Sequence, residues 1–169
     1  LSVADNTVRN EPFKSNPADS TITWGIGPAE AKLIVHATGP QTGLACTIAE
    51  HIWEPGDAGG FHAHLVEDEA FFVIEGELTV KMRGDEEVEF TAGPGELIWH
   101  PRGRTHNYEV SAAGPVRLLQ ILIPGSNLVP GFFEAVANGK AANIDSESGA
   151  AEFFQWSRDA YNVEFAAPE

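Results

Sequence analysis

A single cysteine, Cys46, occurs in the 169 residues, so no internal disulfide can form and stability must come from a packed core. Its apolar neighbours read it as a buried thiol, which suits a reducing compartment and makes the cytoplasm the expected location. Basic residues are also few, 10 against 25 acidic ones, for a formal net charge of −15. The field around such a chain repels phosphate backbones and anionic lipid, so neither nucleic acid nor a membrane is an expected partner. No apolar run approaches the ~20 residues needed to span a bilayer. Internal repeats and low-complexity tracts are missing too. A chain of this length suits one domain with short appendages.

What is present is alternation punctuated by turns. Residues 1–20 are polar, carry Pro12 and Pro17, and read as an irregular arm. Ser20 to Ile26 and Ala31 to Thr38 read as strands around Gly27-Pro28, forming an N-terminal hairpin or edge pairing. Leu44 to Trp53 follows, stopped by Pro55-Gly56. From Glu69 onward, Phe71 and Val73 share one face while Ala70, Phe72 and Ile74 share the other, and Glu75-Gly76 reads as a hairpin tip. Leu78 to Met82, Val88 to Thr91, Leu97 to His100, Thr105 to Val110 and Val116 to Ile123 continue the series. Short strands at such regular spacing predict an all-β barrel or jelly roll over residues 21–125. Beyond Pro124-Gly125 the pattern becomes helical, with short helices predicted over Pro130 to Asn138 and Ala150 to Ala160. Residues 126–169 are thus expected to pack on the outside of the barrel.

The stretch from Gly56 to Gly76, GDAGGFHAHLVEDEAFFVIEG, concentrates the chemistry. In an extended strand side chains repeat with period two, so His62 and His64 leave from the same face. Glu69 joins them if its strand pairs with theirs. A further histidine, His106, follows the Pro101-Arg102-Gly103 turn. Three imidazoles and a carboxylate, once converged, make a nitrogen and oxygen site suited to one divalent transition metal (Fe, Ni, Mn, Co or Zn) with a position left open for substrate. His36, His51 and His100 read instead as hydrogen-bonded core or surface histidines. Residues on the ligand faces, Phe71, Val73, Met82, Trp99 and Tyr108, are the expected wall of an apolar, aromatic substrate pocket. Ile98 or His100 could take the inward place assigned to Trp99. Arg102 and Arg104 read as an exposed turn at the mouth.

Gly56, His62, His64, Glu69 and Gly76 match position by position the cupin pattern G-x5-H-x-H-x4-E-x6-G, and the chain resembles that family. Gly95, Pro101, Gly103 and His106 match most of the companion pattern G-x5-P-x-G-x2-H-x3-N, whose closing Asn is replaced by Val110. The resemblance implies a cupin β-barrel (double-stranded β-helix) with the metal on His62, His64, Glu69 and His106. Small size and a Pro-Gly-Phe-Phe stretch starting at Pro130 are further similar to quercetinase-like monocupins. That implies a dioxygenase acting on a flat enol or phenolic substrate, flavonol-like or diketone-like, with Glu69 taking the substrate's proton and dioxygen as co-substrate. Small cupins that act as oxygen-independent cyclases or isomerases on polyketide or carbonyl substrates are the alternative, together with non-catalytic metal-containing binders. Cupin barrels pair through edge strands, so a homodimer is expected.

Overall fold

The computed structural model describes residues 12–25, 31–57 and 59–166. Most of the expected N-terminal arm and the Gly27-Pro28 turn lie outside the described residues. Among the described residues, eleven strands form two sheets. The first contains β1 (Thr21–Trp24), β2 (Ala31–Ala37), β3 (Thr47–Trp53), β5 (Asp68–Glu75), β8 (Leu97–His100) and β10 (Val116–Ile123), in the spatial order β1-β2-β3-β10-β5-β8. The second contains β4 (His62–His64), β6 (Leu78–Met82), β7 (Val88–Ala92), β9 (His106–Val110) and β11 (Val163–Phe165), ordered β11-β4-β9-β6-β7. All the pairings are antiparallel.

Alternation explains why these segments form a two-layered barrel. Along β10, Val116, Leu118, Gln120 and Leu122 are buried while Arg117, Leu119, Ile121 and Ile123 are more exposed, the period-two signature of a sheet with one face inward. β3 follows suit, sending Thr47, Ala49, His51 and Trp53 into the same interior. The N-terminal hairpin is present as the β1–β2 pair, and β6 and β7 pair around the charged turn at residues 83–87. The turn at Glu75-Gly76 is not a hairpin tip, because β5 and β6 belong to different sheets. Gly76 turns this corner at φ 79°, and an added Cβ would lie 2.3 Å from the Pro115 carbonyl oxygen, so only glycine fits. Val110, where the family pattern has Asn, is buried, and its N–H donates to the Asp57 carbonyl at 3.0 Å. Cys46 is half-buried rather than buried, with no disulfide partner.

Two helices follow the barrel, α1 (Leu128–Ala137) and α2 (Glu147–Tyr161). Ser146 caps α2, its hydroxyl accepting from the Gly149 N–H at 3.1 Å, and Asn162 ends it in the left-handed conformation. The apolar stripe of α1, Leu128, Phe132, Phe133 and Val136, is buried with Phe153 of α2 against Leu33, Ala49 and Leu122 from the first sheet's inner face. The helices therefore cover one end of the barrel interior. From α2 the chain returns into the second sheet as β11, pairing Val163 with His64 and Phe165 with His62. No helix among the described residues is long and apolar enough to cross a membrane.

Candidate metal centre

His62 and His64 do leave β4 on one side, but β4 does not pair with β5, so the expected hairpin route for Glu69 fails. Glu69 arrives from the opposite sheet, across the interior. His106 is placed by β9, directly opposite His62 in the ladder. The fifth member of the cluster is one that the sequence reading set aside. His100 lies opposite Glu69 in the β5–β8 ladder and is fully buried. The ligand atoms of His62, His64 and His106 lie within 4.8 Å of one another, as do those of Glu69, His100 and His106.

The carboxylate sits at the junction. One oxygen of Glu69 lies 3.7 Å from His64 Nε2, and the other lies 3.2 Å from His106 Nε2 and 3.6 Å from His100 Nδ1. Gln120, on the neighbouring β10, donates its amide to Glu69 Oε1 at 2.5 Å. His62 Nδ1 lies 2.9 Å from the Gly60 carbonyl and His106 Nδ1 3.1 Å from that of Arg104, contacts that require an N–H at each Nδ1. Each then keeps its Nε2 lone pair for a metal, as ligating imidazoles commonly do. Both nitrogens of His64 and of His100, His106 Nε2 and Glu69 Oε2 are buried without a hydrogen-bond partner. So many orphaned polar atoms around one point would be costly in an empty core. A divalent cation fits them.

Electrostatics agrees with that donor set. Burial pushes His62 well below the usual imidazole range, with His106 and His64 lowering it further, and burial likewise lowers His64. His100 is pushed down to about 4, again chiefly by burial. Burial by itself would raise Glu69, but its contacts with His64, His106 and His100 outweigh this and hold it well below the carboxylate range. Neutral imidazoles beside an ionised carboxylate are the protonation states in which these groups bind metals.

A cavity of about 590 Å³ opens from His62, His64 and Glu69. Of the expected wall residues, Phe71 and Tyr108 border it. Tyr108 is stacked on Trp53 with ring centres 4.2 Å apart and planes 2° from parallel. Val73 and Met82 do not border it; they pack into the barrel core with Leu78 and Val80. Trp99 is a correction. In the β8 ladder Ile98 and His100 face inward, so Trp99 between them must face outward, where it is 45% exposed. Arg102 forms the exposed turn expected of it, paired with Asp68 at 2.8 Å. The sequence reading missed the far wall, which comes from Trp24, His51, Phe132, Phe133 and Phe165. Only the apolar stripes on the helices hinted at it, and those read equally well as packing.

Together, the two-sheet barrel and a buried histidine–carboxylate cluster at the end of a cavity define a metal-capable β-barrel class. Residues 49–122 match the family described as cupin domain, so this stretch of the chain is a cupin domain. No curated protein matches its sequence. Among solved structures, the oxalate decarboxylase of Bacillus subtilis, described with Mn(II) centres, superposes with a TM-score of 0.57 at 17% identity. That match covers 72% of this chain and 32% of the other, so this chain corresponds to about a third of that enzyme's length. KdgF from Halomonas sp. gives 0.54 at 15% identity, with 68% and 97% covered. A predicted oxalate decarboxylase from Thermotoga maritima gives 0.56 at 16%, with 66% and 99% covered. At these identities the likeness concerns the fold.

Proposed function

We propose that this cupin is a metal-dependent enzyme, a dioxygenase acting on a flat enol or phenolic substrate of the flavonol or diketone kind. The observation that carries this reading is the cavity: aromatic rings wall it, and it ends on His62, His64 and Glu69. A divalent metal on His62, His64, Glu69 and His106 would supply Lewis acidity and, if redox-active, electrons for dioxygen. The protein's own groups do the rest. Trp53 and Tyr108, stacked on one another, give the cavity a rigid flat aromatic wall for a planar substrate. Glu69 Oε2, free of hydrogen bonds while Oε1 is tied to Gln120, takes the enol proton. Phe133 and Phe165 keep water from the reacting carbon.

Oxygen uptake coupled to substrate loss, measured with flavonols, diketones and phenols, is the test. No uptake with any of them would end the dioxygenase reading. A second reading, oxygen-independent cyclisation or isomerisation of a carbonyl substrate, is supported by His100 beside Glu69 at 3.6 Å, a carboxylate–imidazole pair suited to moving protons without electron transfer. Undiminished turnover under anaerobic conditions with zinc bound would select it. A homodimer belongs to the proposal too. Its natural surface is the outer face of the first sheet at the β8 edge, where Phe72, Leu97, Trp99 and Ile123 are exposed.

A further inference from the structure

His100 is the member of the buried cluster that the four-ligand set of His62, His64, Glu69 and His106 leaves unused. Both its ring nitrogens are buried without a hydrogen-bond partner, and Glu69 Oε2 lies 3.6 Å from its Nδ1. That distance is too long for a hydrogen bond. It is close to the separation of two donors on one ion, about 3.4 Å at tetrahedral angles with bonds of about 2.1 Å. The same oxygen lies 3.2 Å from His106 Nε2. Gln120 holds the other oxygen, Oε1, at 2.5 Å and is itself held by His51, whose Nε2 lies 3.0 Å from the Gln120 oxygen. This anchoring leaves Oε2 aimed at the rings of His100 and His106.

The five donors form two groups rather than one. The ligand atoms of His62, His64 and His106 lie within 4.8 Å of one another, those of Glu69, His100 and His106 do so as well, and His106 is the member in common. His106 Nδ1 donates to the Arg104 carbonyl, so Nε2 has a single lone pair to give and serves one ion at a time. The groups also face different ways. His62, His64 and Glu69 border the cavity, whereas His100 and His106 do not.

We propose that the centre has two alternative seats for one divalent transition-metal ion, an outer one on His62, His64 and His106 and an inner one on Glu69, His100 and His106. His106 is the pivot between them. Imidazole nitrogens and a carboxylate suit the same class of ion in either seat. Glu69 reaches the inner seat through Oε2 and stays beside the outer one through Oε1, 3.7 Å from His64 Nε2. Because the outer seat survives without it, His100 is not an obligatory ligand, whereas removing His106 empties both. The inference rests on the metal-dependent reading proposed above and deepens it. Only the outer seat faces the cavity, so a substrate oxygen that binds the ion there shifts the balance outward, and in its absence the inner seat shelters the ion behind Glu69.

The test uses the full chain loaded with zinc and freed of loosely held ion, read by elemental analysis and by the ¹⁵N signals of labelled histidine rings. A His62→Ala, His64→Ala variant dismantles the outer seat alone. It should keep about one equivalent of zinc, with His100 and His106 each showing the signal of a metal-bound ring nitrogen. Adding His100→Ala to that pair should release the zinc, a fall in affinity beyond the roughly 100-fold that loss of a supporting contact causes. Zinc lost from the two-alanine variant while it keeps a folded spectrum, or zinc kept after His100→Ala is added, would overturn the inference. Should alanine unfold the barrel, His62→Leu, His64→Leu put the same question with less volume removed. An unaltered chain that holds no zinc would end the metal reading as a whole, a pattern distinct from loss in the variants alone. Absent oxygen uptake, which would end the dioxygenase reading, moves none of these readouts.

Discussion

The two ends of the cavity are assembled in contrasting ways. At the metal end, five titratable side chains come from four strands, all within the 45 residues from His62 to His106, and four of them stand at spacings that carry a pattern. At the aromatic end, Trp24, His51, Trp53, Phe133 and Phe165 come from positions scattered over most of the chain, with no shared spacing beyond the period-two pair on β3. Ligands need fixed angles to one another and so leave a fixed interval in the sequence. A cavity wall needs only volume and apolar surface, which many sequences supply. The difference teaches that function can be concentrated in a pattern at one end and spread out beyond recognition at the other.

The sharpest way to break the comparison is to remove the metal end alone. A His62→Ala, His106→Ala double variant is expected to lose near-stoichiometric metal from gently purified, unchelated protein, as read by elemental analysis, while the barrel still folds. Metal retained at the wild-type level would place the centre elsewhere. The aromatic end should respond in the opposite way. Phe133→Ala, at a buried position of α1, should cost about 3–5 kcal/mol of stability in denaturant titrations yet leave the metal content unchanged.

Acidification probes the link between the ends. His51 is held near 4 in the folded chain against 6.5 for an ordinary imidazole, so between these values the unfolded chain binds a proton that the folded one does not. Stability should therefore fall as pH drops from about 6.5 to about 4, by up to roughly 3 kcal/mol from this group, and change no further below that. His51→Phe should lack this component, so the gap between its pH–stability curve and that of the wild type isolates it. A smaller effect is expected from His100→Ala. If His100 supports the cluster without being an obligatory ligand, metal affinity should fall about 10- to 100-fold rather than vanish. Complete metal loss would make it a ligand in its own right.

Legibility followed the same divide. Alternation along β3, β5 and β10 and the turns between strands announced an all-β barrel, because a strand with one buried face repeats every second residue whatever it packs against. Which strands become neighbours is not local information. The reading therefore expected Glu69 to reach His62 and His64 by hairpin pairing, whereas β5 lies in the other sheet and Glu69 crosses the interior. His100 was passed over and Trp99 put in its place, since in a four-residue strand either alternate face is equally plausible. Its pairing with β5 decided the matter by setting His100 opposite Glu69.

The C-terminal residues make the point again. Helical periodicity located α1 and α2 closely, but Val163–Phe165 is too short to show a period, and it becomes a strand only because β4 offers an edge to pair with. What the sequence by itself determined is the set of interval-bound features: strand alternation, helix stripes, and the spacing of His62, His64, Glu69 and His106. What only the tertiary structure decided is everything that depends on contacts between distant segments: the opposing sheet that supplies Glu69 and His100, the far wall of the cavity, and the bridge from Glu69 through Gln120 to His51. The physical reason is that local dihedral preferences and side-chain periods act over a few residues. Burial and hydrogen-bond satisfaction, by contrast, are settled across the whole core.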